Sequence, residues 1–252
     1  MTEVANARRR IRTAVVWDGL SAAIEARLPG RTQLDVLDVG GGTGGFAVPL
    51  AQAGHLVTVL EPNPDALAAL ERRAAEAGVS ERVRWVQADA ADLAGLVQPG
   101  GCDLVLCHGV LEHVDDPAAV LAAVAGTLRP DGLVSVLVAN PNGAALARAV
   151  AGHLDQARAV LAHPAGRWGE RDPLPRRFTP QQAAALFPPA GLAVFATHGV
   201  RVCADLVPGA LVEGEPDAIA SLLALEAVLA EHPDFHAVAG QLHLLASRLP
   251  GS

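Results

Sequence analysis

The chain has 252 residues, 51% of them apolar and 18% charged, with a net charge of −8. That apolar share excludes an intrinsically disordered chain and is enough to bury a core in one large domain or two small ones. The balance of 19 basic against 27 acidic residues excludes a protein whose whole surface grips nucleic acid. Every basic residue is arginine and tyrosine is absent, a coding bias from which no chemistry follows. One uncharged stretch, 39–60, has the length of a bilayer span, but glycines, a proline, a glutamine and a histidine interrupt it, so it is not a membrane helix. The start of the chain carries Arg8, Arg9, Arg10 and Arg12 without an apolar signal region, so a soluble cytoplasmic protein is expected. Cys102, Cys107 and Cys203 are odd in number and have no CxxC spacing. Neither a disulfide framework nor a metal cluster is expected from them, and they read as reduced core residues.

Residues 3–28 carry Ile11, Val15, Leu20 and Ile24 at roughly helical spacing and stop at Pro29-Gly30, which predicts a helical cap over 1–30. The period then changes. A short β-rich run at 34–39 ends in glycines, 47–53 continues as a helix, and 55–60 is a second strand. A proline-opened, alanine-rich helix at 64–77 is closed by Gly78. Apolar runs of strand length follow at 83–88, 102–107 and 133–139, with a helix at 117–128, and Arg129-Pro130-Asp131-Gly132 reads as a turn feeding the fifth strand. Buried strands alternating with helices describe a doubly wound α/β core over 31–140. Beyond it, 142–161 reads as helical and 163–180, rich in Pro, Gly and Arg, as a surface loop or lid, together an insertion over 141–180. Helices at 180–187 and 216–230 and strand-like runs at 192–203 and 241–248 complete a C-terminal segment, 181–252, of what reads as a single domain.

The strongest local signal is Asp38-Val39-Gly40-Gly41-Gly42-Thr43-Gly44-Gly45, between the first strand and its helix. Glycines there admit positive φ and let a polar ligand lie against bare backbone. A plain strand-to-helix turn also uses glycines. Glu61 turns the reading towards a ligand, because a carboxylate at the end of the second strand can accept both hydroxyls of a ribose. Gln87-Ala88-Asp89-Ala90-Ala91-Asp92 closes the third strand with small and acidic residues beside the same crevice, a place for an adenine. The fourth strand runs on into His108 and His113; His108 is expected at the crevice and His113 further out.

Glycine loop, acidic end of strand two, acidic turn after strand three and Leu128-Arg-Pro-Asp-Gly132 resemble, in this order, the S-adenosylmethionine-dependent methyltransferases of the Rossmann-like class. The form Asp38-x-Gly40-x-Gly42-x-Gly44 differs from the G-x-G-x-x-G of dehydrogenases. The resemblance implies a Rossmann-like, doubly wound, seven-stranded and mostly parallel sheet whose last strand, suited by 241–248, is antiparallel beside the sixth. It also implies S-adenosyl-L-methionine as cofactor. Further blocks lie outside that core: Arg12-Thr-Ala-Val-Val-Trp17-Asp-Gly-Leu20, Leu106-Cys-His108-Gly-Val-Leu-Glu112, Ala139-Asn-Pro-Asn-Gly143, Val150-Ala-Gly152 and Thr197-His-Gly-Val-Arg201-Val. Together they resemble the bacterial tRNA methyltransferases that esterify the carboxylate of 5-carboxymethoxyuridine in the anticodon. That resemblance implies tRNA as partner and cofactor contacts at Arg12, Gly40, Gly41, Glu61, Ala90, Ala91 and His108.

Chemistry bears on the same residues. Arg12 offers a guanidinium able to hold a methionine carboxylate in a forked pair. Arg201, out of place in an apolar run, is the candidate for binding a substrate carboxylate, and Trp17 either stacks on a base or packs. A carboxylate acceptor is already ionised at neutral pH and needs no general base. A hydroxyl or amine acceptor needs one, with His108 or His153 as candidates, so His108 and Arg201 are the catalytic candidates. Basic patches are modest: Arg167, Arg171, Arg176 and Arg177 against Glu170 and Asp172 leave +2, and four arginines against Glu3 leave +3 over 1–12. The alternatives are a small-molecule O- or N-methyltransferase and a non-catalytic cofactor-binding protein.

Overall fold

Val36, Leu37 and Val39 and the run Leu104–Cys107 are all but inaccessible to solvent, as apolar runs become when they are covered on both faces. They belong to a sheet in the computed structural model of the chain, which describes residues 3–210 and 217–249. Its strands are β1 (Asp35–Val39), β2 (Leu56–Leu60), β3 (Val83–Val86), β4 (Cys102–His108), β5 (Leu128–Ala139), β6 (Leu192–Val200) and β7 (Gln241–Arg248). Their order is β3-β2-β1-β4-β5-β7-β6. β1 lies parallel to both β2 and β4, with Val36 opposite Val57 on one side and Leu104 on the other, and β2 is parallel to β3. β7 runs antiparallel to its neighbours. At its start the Gly240 amide donates to Arg201 O, past β6, at 3.2 Å, and Gly240 O accepts from Asn140, past β5, at 3.1 Å. At its other end Leu249 N donates to Gly191 O, before β6, at 2.8 Å, and Arg248 Nη1 donates to Leu128 O, at the head of β5, at 3.2 Å. The seven-stranded, mostly parallel sheet with an antiparallel last strand is therefore present.

The helices are α1 (Glu3–Arg27), α2 (Ala47–Gln52), α3 (Pro64–Glu76), α4 (Leu93–Leu96), α5 (Pro117–Thr127), α6 (Pro141–Val150), α7 (Leu154–Ala162), α8 (Pro180–Ala185), α9 (Ala218–Glu231) and α10 (Pro233–His236). α3 and α5 open as their sequences dictate: Asn63 and Asp116 accept first-turn amides and a proline takes the first helical position. Three expectations change. Arg129-Pro130-Asp131-Gly132 is part of β5, because ion pairs of Arg129 to Asp35 (2.7 Å) and Asp103 (2.5 Å) tack this segment alongside β1 and β4, and Pro130 is at an exposed strand start where no ladder donor is needed. The helical stretch at 142–161 is two helices, broken where Gly152 takes φ 81°. The strand expected to reach 203 stops at Val200, because Arg201 adopts φ 55°. Pro216, expected to open the helix before α10, lies outside the described residues.

Contacts group the chain into two compact units. One comprises Glu25–Val136, Ala185–Phe195 and Leu245–Ser252; the other comprises Met1–Ile24, Leu137–Ala184 and Ala196–Leu244. The first unit holds the glycine loop, and at the opposite ends of its strands a buried Asp103 pairs with Arg31 and Arg129. The second unit contains a core built from α1, α9 and the segment after β6, where Ile11 packs with Ala204 and Leu222. Cys102 and Cys107 are buried free thiols of the first unit, and burial raises both above the ordinary thiol range. Among the described residues, no helix is long and apolar enough to cross a membrane, and no group of three or more His, Cys, Asp or Glu is placed to hold a metal ion.

Candidate active site

The glycine loop is shaped by what its residues lack. Gly40, Gly42 and Gly44 take φ of 66°, 56° and 78°, where an L side chain is strained. A Cβ on Gly40 would stand 2.5 Å from Val110 Cγ2, and one on Gly41 would stand 2.6 Å from Asp38 Oδ2. Glu61 closes the loop from the end of β2: Gly42 N–H donates to Oε2 and Asn63 N–H to Oε1, each at 3.0 Å. A carboxylate has about four acceptor positions. Two are used by backbone, so Glu61 keeps capacity for the two hydroxyls of a ribose. Beneath the loop Asp38 is fully buried, and burial together with the nearby charge of Glu61 pushes its carboxyl up to about 7.

Gly40, Glu61, Asp89, Ala90 and Ala91 line one cavity of about 810 Å³ at the C-terminal ends of the strands. Asp89 spends one oxygen on the amide of Ala91 at 3.0 Å and so fixes a short 3-10 turn over Ala90–Asp92. The far wall is apolar, from Val110, Val114, Ala119, Val120 and Ala123. Ala119, Val120 and Ala123 of that wall come from the small-residue run of α5. His113 is nearer the cavity than expected. His113 lines the cavity, whereas His108, at the end of β4, shares a 2.8 Å hydrogen bond between its Nε2 and Ser135 Oγ and meets the Phe46 ring edge-on at 4.8 Å. A turn at 110–113, closed by His113 N–H donating to Val110 O at 2.9 Å, carries His113 back over the cavity.

The remaining candidates belong to the second unit. Arg12 and Trp17 are half-buried on α1, and His153 is exposed just beyond the Gly152 break. Arg201 is half-buried with its Nε 3.6 Å from Asp205 Oδ2. The Asn140–Gly143 block is a junction: Asn140 Oδ1 accepts from Asn142 N at 3.1 Å, its amide donates to Ala237 O at 3.1 Å, and a Cβ on Gly143 would stand 2.3 Å from Ala239 O. The 163–180 segment has an internal clamp. Arg177 donates to Asp172 through Nη1 at 2.7 Å and Nη2 at 2.9 Å, and to Gly166 O at 2.7 Å, all buried. Burial alone would raise the Asp172 carboxyl, but the Arg177 fork and the amides of Trp168 and Leu174 outweigh it and hold the carboxyl below its ordinary value.

A strand-loop cradle with little side-chain cover, a carboxylate with acceptor capacity to spare at the end of β2 and a small apolar slot beyond β3 make a cavity suited in chemistry to a nucleoside. The chain belongs to the S-adenosylmethionine-dependent methyltransferase family. A methyltransferase domain family matches residues 37–136. Across 196 residues, 78% of this chain and 73% of the relative, the chain is 32% identical to the tRNA 5-carboxymethoxyuridine methyltransferase of Escherichia coli strain K12. It is 38% identical over 119 residues to the ubiquinone biosynthesis O-methyltransferase of Xanthomonas euvesicatoria pv. vesicatoria, covering 46% of this chain and 48% of that one. The fold is similar to that of the magnesium protoporphyrin IX methyltransferase of Synechocystis PCC 6803 with bound SAH, at TM-score 0.63 and 18% identity over 98% of this chain and 88% of that one.

Proposed function

We propose that this methyltransferase esterifies a carboxylate on a modified wobble uridine of tRNA, in the cytoplasm where that acceptor is found. The observation that carries the reading is the reach of the tRNA-methyltransferase likeness: 78% of the chain, against 46% for the O-methyltransferase relative. When bound, S-adenosyl-L-methionine supplies an electrophilic methyl group on a sulfonium. Glu61 accepts the ribose hydroxyls, Gly40 and Gly41 present bare backbone, and Ala90 and Ala91 flank the adenine. Arg12, in the other unit, is carried into this reading by the resemblance and takes the methionine carboxylate. Arg201 orients the acceptor carboxylate, Trp17 stands by for its base, and no residue acts as general base because the acceptor is already ionised. His108 then serves as a wall beside the donor. The buried Asp172–Arg177 pair removes one charge of each sign from the 163–180 patch, so its +2 is carried by Arg167, Arg171 and Arg176 against Glu170.

Incubation with labelled S-adenosyl-L-methionine, tRNA bearing 5-carboxymethoxyuridine and a small-metabolite extract tests this. Label is expected in the tRNA and is expected to be lost in mild alkali, as a methyl ester is. Label in the metabolite fraction, or an alkali-stable product, would replace the proposal with a small-molecule O- or N-methyltransferase using His108 or His153 as base.

A further inference from the structure

Glu226 is a charge in the wrong neighbourhood. It lies on the same stripe of α9 as Leu222 and Ala230, and all three are buried, Glu226 with no exposed surface at all. A buried carboxylate persists only where donors replace its water. Three do. Val202 N–H donates to Oε2 at 2.9 Å, and the N–H groups of Cys203 and Ala204 donate to Oε1 at 2.9 and 2.6 Å. Convergent backbone amides of this kind form an anion-binding nest, here filled by the chain's own side chain.

The nest begins one residue after Arg201, whose φ of 55° is the positive value adopted by a non-glycine among the described residues. Left-handed backbone is strained for an L residue and persists only where its surroundings impose it. Here they do so from both sides: Glu226 fixes the three amides that follow, and Arg201 O accepts the Gly240 amide at 3.2 Å. The same turn ends at Ala204, which shares a buried apolar cluster with Leu222 and with Ile11 of α1. Ile11 is the residue before Arg12.

We propose that Glu226 is a positioning residue for both arginines, holding Arg201 through the 202–204 turn and Arg12 through the buried cluster that Ile11 shares with Ala204 and Leu222. This rests on the roles given to those arginines above. Replacing Glu226 by Gln keeps the shape but turns an NH₂ towards an N–H, so the turn opens and Arg201 relaxes to negative φ.

The test compares Glu226→Gln, Glu226→Asp, Ile11→Ala and Arg201→Ala in the full chain, each checked for native circular dichroism. The readouts are S-adenosyl-L-methionine affinity by calorimetry and KM for tRNA bearing 5-carboxymethoxyuridine. Glu226→Gln is expected to weaken both by about tenfold or more, with Glu226→Asp intermediate, and to add little when combined with Arg201→Ala on the acceptor side. Ile11→Ala is expected to weaken the donor side alone, and it reports on α1 even if Glu226→Gln does not fold. A folded Glu226→Gln protein with both values within about twofold of the parent, or an Ile11→Ala protein that loses both sides equally, overturns the proposal. An Arg201→Ala protein with unchanged acceptor KM overturns instead the role given to Arg201.

Discussion

In the unit that carries the glycine loop, room for a ligand is made by leaving side chains out: Gly40, Gly42 and Gly44 bend the chain, and Gly41 lets Asp38 and Val59 fill the space of its missing Cβ. In the other unit the loops are shaped by charges put in. Arg177 clamps 163–180 through Asp172, and Glu226 gathers the amides after Arg201. A loop of the first kind is broken by adding atoms, and one of the second kind by taking a charge away. The two kinds also answer pH in opposite directions, because burial and Glu61 push up the carboxyl under the glycine loop whereas Arg177 and two amides hold down the one in the clamp.

The largest effect is expected where a buried charge loses its partner. Asp172→Ala strands the Arg177 guanidinium, whose side chain is 7% exposed, and is expected to cost about 3–5 kcal/mol in urea unfolding. A cost below about 1 kcal/mol would mean that the clamp is incidental. Next comes Gly41→Ala, whose new Cβ would stand 2.6 Å from Asp38 Oδ2 and 2.9 Å from Val59 Cγ1. Overpacking of about 1–3 kcal/mol and weaker S-adenosyl-L-methionine binding are expected from it. Gly45→Ala is the control: its Cβ meets nothing within 4 Å, so stability and binding should hold. Equal losses at 41 and 45 would show that glycine serves only for chain freedom. The finest test is a slope. Asp38 rises from an ordinary 3.8 to about 7 on folding, so the unfolded chain ionises first, and stability contributed by this group falls as pH rises between those values and is level above. Asp172 is lowered, so its contribution is present above its ordinary value and is lost as pH falls. Asp38→Asn should flatten the first fall in the urea midpoint and leave the acid-side loss unchanged.

The sheet and the cradle were legible in the sequence because their signals are local. An apolar run marks a strand, and a glycine cluster twenty or so residues ahead of an acid marks a loop with a carboxylate at its side, without knowledge of what lies across the fold. His113 escaped because a turn of the chain decides its direction, and nothing in Gly109-Val-Leu-Glu-His113 states where that turn points. Arg177 and Asp172 read as members of a surface charge balance, since neither residue type reveals that the other will meet it in a buried fork. Glu226 did leave a trace: an acid spaced four residues from Leu222 and four from Ala230 in a mostly apolar helix is the pattern of a buried charge awaiting donors.

The buried thiols have a practical side. Cys102 and Cys107 are shielded and held protonated, and Cys203, under burial and the charge of Glu226, is pushed up to about 11, so none presents a ready thiolate at neutral pH. The protein is thus expected to tolerate mild oxidants, and a single cysteine installed on the surface would accept a maleimide dye against a silent background.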